Sequence, residues 1–320
     1  MNRRAIIAAA LLPPLAAPRA QPAWPDRPVR LVVPFTPGGS TDILARAMGQ
    51  RLGEMFGQPF IIDNRPGAGG TVGSEQVFRA APDGQTLMMG HIGTLACNPA
   101  LYRNLSFDTA RFEPVALVAN VANFLVVTNG LAARDVPSLI ALAKSRPGDL
   151  TYGSGGNGSA AHIAMVAFNE ATGTEMTHVP YRGTGPMLTD LISGTVQLTM
   201  TGGPPALPPV RAGQLRALGI SSLERLPSAN DIPTVASQGV PGFEALQWYG
   251  IVAPPGTPGA IVTRLNEACN RILGEAAFRT RLETEGAVAD PMTPAQFGDY
   301  IARERERWGA LIRRNNVSLG

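Results

Sequence analysis

Residues 29–42 read Val29-Arg30-Leu31-Val32-Val33-Pro34-Phe35-Thr36-Pro37-Gly38-Gly39-Ser40-Thr41-Asp42, an apolar run that breaks at Pro37 into a glycine turn. The β-branched run predicts a strand over Val29–Phe35. Downstream, Ile43, Leu44, Ala47, Met48 and Leu52 recur at spacings of three and four, which predicts a helix opened by residues 36–42, with Thr41 or Asp42 as its cap. Gly57 ends that helix and Pro59–Ile62 forms the next strand, so the segment is a βαβ unit with parallel strands.

Moving outward, the same alternation continues. Pro66-Gly67-Ala68-Gly69-Gly70 precedes a helix over residues 71–79, and Gln85–Gly90 is a third strand. Val115–Val127 is apolar, rich in Val and too long for one ordinary strand, which predicts a strand that leaves one lobe and enters another. A second βα series starts with strand Leu150–Tyr152, the loop Gly153-Ser154-Gly155-Gly156-Asn157-Gly158-Ser159, and a helix carrying Ile163, Met165, Val166 and Phe168. Strand Met176–Pro180, helix Pro186–Ser193, strand Gln197–Met200, a Pro-rich helix and strand Leu215–Ile220 follow. Phe243–Ala253 returns to the first lobe, and helices over Gly259–Leu273 and Thr293–Arg313 complete it. The expected fold class is therefore α/β, with residues 24–122 plus 245–320 as lobe 1 and residues 123–244 as lobe 2.

Bulk composition agrees with a packed chain: of 320 residues, 44% are hydrophobic and 16% charged. Residues 1–20 stand apart, because Arg3 and Arg4 precede an uncharged run from Ala5 to Ala17, the pattern of a secretory signal cleaved near Ala20. Their removal takes three Arg and no acid, leaving 24 basic residues against 24 acidic ones, so the formal charge of +3 is no argument for nucleic-acid binding. Cys97 and Cys269 lack the spacing of a metal or redox motif and are read as two buried thiols rather than a bridge.

Both lobes place a glycine-rich turn between a strand and a helix, at the carboxyl edge where open parallel sheets gather ligands. There the first N–H groups of the helix are unpaired and its dipole favours an anion. Two such turns facing one another would grip an anion without any Arg. Gly153-x-Gly155-x-x-Gly158 also matches a dinucleotide fingerprint, but the following strand ends Val179-Pro180-Tyr181-Arg182, with no acid for a ribose. Neither Ser154 nor Ser159 lies in Gly-x-Ser-x-Gly, and no His-Glu-x-x-His pair is present to hold zinc. His162 is either a ligand contact or a structural histidine, Arg182 either a carboxylate partner or a solvated charge, and Trp248 and Tyr249 are read as core or hinge packing.

The quoted segments, with Asn64-Arg65-Pro66-Gly67-Ala68-Gly69-Gly70, Ala81-Pro82-Asp83-Gly84, Asn98-Pro99-Ala100-Leu101-Tyr102, Val179-Pro180-Tyr181-Arg182-Gly183 and Leu215-Arg216-Ala217-Leu218, occur in one order along the chain. Together they resemble the substrate-binding proteins of tripartite tricarboxylate transporters, the Bug family. The resemblance implies a type II periplasmic-binding-protein fold, two Rossmann-like lobes joined by crossing strands that close on a ligand. It implies a periplasmic monomer that binds a small organic carboxylate for membrane permease subunits, with no cofactor or metal; a sensor kinase as partner and an enzyme acting on an anion are the alternatives. It assigns binding to Phe35, Thr36, Pro37, Gly38, Gly39, Ser40, Thr41 and Asp42, to Ser154, Gly155, Asn157, Gly158, Ser159, Ala160 and His162, and to Thr94, Tyr181, Arg182, Gly183 and Thr184. Thr201-Gly202-Gly203 stands where many members carry Asp-Asn, which removes a charge from the expected cleft at Thr201 and favours a dicarboxylate or aromatic acid over an amino acid.

Overall fold

In the computed structural model, which describes residues 24–284, 286–317 and 319, strand β1 (Val29–Val33) is buried at every position except the half-buried Arg30. Burial on both faces is what a strand inside a parallel layer requires. It pairs in parallel with β2 (Phe60–Asn64) on one side and β3 (Thr86–His91) on the other. Helix α1 (Ser40–Phe56) joins β1 to β2, and ends where Gly57, at φ 69°, turns its N–H back to the Gly53 carbonyl. Helix α2 (Thr71–Phe78) joins β2 to β3, and the short α3 (Asn98–Leu101) follows. The expected export signal lies outside the described residues.

The long apolar stretch is one strand, β4 (Glu113–Thr128). Up to Ala122 it pairs antiparallel with β9 (Leu246–Ala253), and from Asn123 it pairs with β7 (Leu198–Gly202) on one side and β8 (Leu215–Ile220) on the other. A change of partner between adjacent residues lets one strand serve two groups of sheet. In the second group β5 (Thr151–Ser154) lies between β6 (Thr177–Pro180) and β7, parallel to both. Helices α5 (Ala160–Thr172), α6 (Thr184–Ser193) and α7 (Gly203–Arg211) each follow one of these strands. Thr201 and Gly202 thus belong to the strand expected to end at Met200, and Gly203 opens the next helix.

Helix α4 (Val136–Ser145) was not expected from the sequence. Its start is marked by Asp135, whose carboxylate accepts from the Ser138 N–H at 2.8 Å in a capping box, and Val136, Leu139 and Ala143 form its buried face. The return path comprises α8 (Gly259–Gly274), α9 (Ala276–Thr284), the two-residue β10 (Ala287–Val288) against β4, and α10 (Pro294–Arg314). Cys97 and Cys269 are free and buried. No helix among the described residues is long and apolar enough to cross a membrane.

Helix α10 is fastened to the crossing strands by one buried carboxylate. Glu304 Oε2 accepts from Trp248 Nε1 at 3.0 Å and from Trp308 Nε1 at 2.7 Å. Glu304→Leu removes the acceptor of two buried indoles, each costing roughly 1–3 kcal/mol when left unpaired. The urea midpoint should fall accordingly; an unchanged midpoint would show that the indoles find other acceptors.

Candidate functional site

The turn after β6 packs on the turn after β1. A Cβ on Gly183 would lie 1.7 Å from Thr36 Oγ1, and one on Gly39 would lie 3.3 Å from Thr184 Oγ1. Backbone from the second group of strands therefore packs directly on the β1–α1 turn, an approach that only glycine permits at Gly183, where φ is 152°. Around this seam three helices begin: α1 capped by Gly39, α5 by Ser159 and α6 by Gly183. Gly39 and Gly183 bring no side chain to cap the first turn, so its N–H groups depend on whatever fills the space in front of them.

That space is a small void of about 30 Å³. Of the residues assigned to binding, Phe35, Thr36, Gly39, Ser40 and Thr41 line it from one side, Gly155, Ser159, Ala160 and Thr184 from the other, and Thr201 lines it from β7. None of its lining residues carries a formal charge in Asp, Glu, Lys or Arg. Thr36 Oγ1 is buried with no hydrogen-bond partner. An anion here meets hydroxyls, amides and the positive ends of helices, and no side-chain cation.

Asp42 takes a different place from the cap expected of it. Gly39 is the cap; Asp42 is the third helical residue, and its carboxylate reaches back to the Gly38 N–H at 3.1 Å while also accepting from Arg46 and Asn64. Burial works against the charge, yet the Arg46 and Asn64 hydrogen bonds and the Gly38 N–H hold its carboxyl below the usual range. It shapes the turn from behind. Pro37 and Gly38 are exposed and do not line the void.

Ser154, Gly158 and His162 sit behind the second turn and do not line the void. His162 Nδ1 accepts from the Gly158 N–H at 3.1 Å, its ring stacks on His178 at 4.0 Å, and His178 Nε2 meets Ser154 Oγ at 2.6 Å. Thr94 likewise supports His91, taking the His91 N–H on its hydroxyl at 3.1 Å. Asn157, Tyr181 and Arg182 line a wider outer recess shared with the 66–70 turn, and the Tyr181 hydroxyl is already donated to Asp190 at 2.7 Å.

Sequence reasoning missed His91, Ala161, Gln247 and Tyr249, all of which line the void. The reading of Trp248 and Tyr249 as packing agrees with their burial in the core, and Tyr249 lines the void as well. Alternation along β9 carried the signal: Gln247 and Tyr249 share one face, and Trp248 the other. Burial pushes His91 down to about 4, and its Nδ1 accepts from the Gly93 and Thr94 N–H groups, which leaves the proton of the neutral ring on Nε2. No group of three His, Cys, Asp or Glu able to hold a metal occurs among the described residues.

Burial, first, keeps His162 at about 3 and His178 at about 4, the neighbouring His178 adding to the shift at His162. All three histidines are thus neutral in the folded chain below their ordinary 6.5, and the unfolded chain binds more protons there. Stability should be full above pH 6.5 and decline as pH falls towards 4, measured as the urea midpoint, with a shallower decline in His162→Asn. A profile flat over that window would show that these rings protonate in place.

A family described as tripartite tricarboxylate transporter family receptor matches residues 44–317. Protein BugT of Bordetella pertussis is 35% identical over 307 residues, 95% of this chain and 94% of BugT. Among solved structures, Rpa4515 of R. palustris with adipate superposes with a TM-score of 0.90 at 40% identity, covering 92% of this chain and 100% of that one. MatC from Rhodopseudomonas palustris with bound malate gives a TM-score of 0.86 at 35% identity over 90% of this chain and 100% of MatC. The chain that folds into two α/β lobes around a void lined by no charged side chain belongs to the tripartite tricarboxylate transporter receptor family.

Proposed function

We propose that the protein is an exported solute receptor that captures a small organic carboxylate between its lobes and hands it, chemically unaltered, to the membrane subunits of a tripartite transporter. The observation that carries this reading is the convergence of the α1, α5 and α6 N-termini on one void without a charged side chain. A charge-assisted hydrogen bond from a buried N–H contributes about 1.5–3 kcal/mol, whereas an exposed ion pair such as Arg182 would offer contributes about 0–1 kcal/mol. The inner amides therefore dominate over the outer guanidinium. The ligand residues are those that line the void, with Asn157, Tyr181 and Arg182 bordering the outer end of a longer acid.

The lobe boundaries at 122/123 and 244/245 are supported by the change of β4 partner between Ala122 and Asn123 and by the start of β9 at Leu246. Cleavage of the export signal near Ala20 is supported by the composition of residues 1–20. Closure around the acid follows from differential affinity: only the closed form presents both sets of amides to one carboxylate. Adipate and malate, found in the related structures, are the first candidates. An ammonium group would face the positive ends of helices with no carboxylate in the lining to offset it.

Calorimetric titration of the chain lacking residues 1–20 tests this. Adipate or malate should bind with one-to-one stoichiometry and aspartate at least about tenfold more weakly, a difference of about 1.4 kcal/mol. Gly183→Ala, whose methyl group meets Thr36, should cost at least about tenfold in affinity while circular dichroism stays unchanged. Tighter binding of aspartate, or an unaltered affinity in Gly183→Ala, would contradict the reading.

A further inference from the structure

A line of buried polar groups runs from the void to the point where β4 changes partner. Gln247, 4% exposed, lines the void, accepts on Oε1 from the Tyr249 hydroxyl and donates from Nε2 to Asn123 Oδ1. Asn123 Nδ2 donates in turn to the Ala245 carbonyl. Ser221 Oγ closes the knot, accepting from the Asn123 N–H and donating to the Ala245 carbonyl, both at 2.8 Å. Asn123 is the first residue of β4 paired to β7, and Ala245 directly precedes β9, so the knot sits on both strands that cross between the lobes.

Strand pairing alone does not ask for an amide here. Val121, the register partner of Gln247 on β4, is apolar and fully buried, and a hydrocarbon at 247 would satisfy the same ladder while leaving Asn123 Oδ1 without its Gln247 donor and the Tyr249 hydroxyl with Ser40 alone. The other lobe also touches this side chain: a Cβ on Gly202, at the end of β7, would lie 3.2 Å from Gln247 Nε2 and 2.5 Å from Ser40 Oγ. Gln247 is thus at once wall of the void, contact for β7 and partner of the crossing residue Asn123.

We propose that Gln247 is a positioning residue that ties the contents of the void to lobe closure, its amide holding the crossing strands in the closed arrangement through Asn123. The proposal rests on the receptor reading above. One amide N–H and the amide oxygen are both engaged, which fixes the orientation of the side chain at the crossing and makes it a defined wall for the ligand.

Spin labels on Gln50→Cys and Lys144→Cys, exposed positions on either side of the crossing, report the closed-to-open ratio, because Cys97 and Cys269 are buried. Without ligand, Gln247→Met should lower that ratio about five- to tenfold. Asn123→Leu, which also loses the Ala245 contact, should lower it at least as far, and the double variant no further than Asn123→Leu, as for two ends of one bond. Should Gln247→Met fail to fold, Asn123→Leu interrogates the same bond. A lowered melting temperature with an unchanged distance distribution, or additive effects in the double variant, would overturn the proposal. Adipate and malate are then added to the unsubstituted protein: failure of both to raise the closed fraction counts against the receptor reading, while the ligand-free ratios still judge Gln247.

Discussion

Unpaired backbone N–H groups at helix N-termini are the constraint around which this molecule is arranged. Every α-helix begins with donors that its own ladder cannot satisfy, and most chains cover them with Ser, Thr or Asp. At α1 and α6 the covering position is glycine, Gly39 and Gly183, which offers the donors no side-chain acceptor. With α5 starting at the same place, the folded chain concentrates partial positive charge in a void that holds no countercharge among its lining side chains. A carboxylate satisfies that deficit, which is why a site with no lining Arg or Lys is suited to an anion.

Such a site must be assembled from two bodies, and β4 provides the connection. By pairing with β9 up to Ala122 and with β7 and β8 from Asn123, a single strand belongs to both parallel groups, so the turn after β1 and the turn after β5 approach across it. Close approach then restricts side chains at the seam: Gly183 against Thr36 and Gly202 against Ser40 leave no space for a Cβ. The supporting residues lie one layer back. Asp42 braces the first turn through the Gly38 N–H, and the His162 and His178 pair braces the second through the Gly158 N–H and Ser154. Keeping these histidines neutral spares the site a positive charge that would make ligand affinity depend on pH.

Much of the architecture was legible because apolar periodicity and glycine punctuation report local structure. The run at Val115–Val127 announced a crossing strand by its length, and both glycine turns were placed correctly between strand and helix. What the residues did not disclose depends on tertiary contact. Asp42 has the chemistry of a cap, and only the positions of Arg46 and Asn64 show that it works from the third helical position. His162 and Ser154 share a loop with residues that face the void, yet hydrogen bonds turn them away. Gln247 and Tyr249 reach the site from a strand distant in sequence, where alternation identifies a shared face but not what that face meets.

The central claim is that backbone amides at converging helix N-termini, rather than a side-chain cation, hold the ligand. A crystal structure of the protein with a bound bromo-substituted dicarboxylate tests it most directly, because anomalous scattering from bromine fixes the orientation of the acid. The account predicts one carboxylate within hydrogen-bonding distance of N–H groups in the first turns of α1 and α5, with bromine towards the outer recess. A carboxylate paired to Arg182 at the mouth, with the inner void left to water, would contradict it.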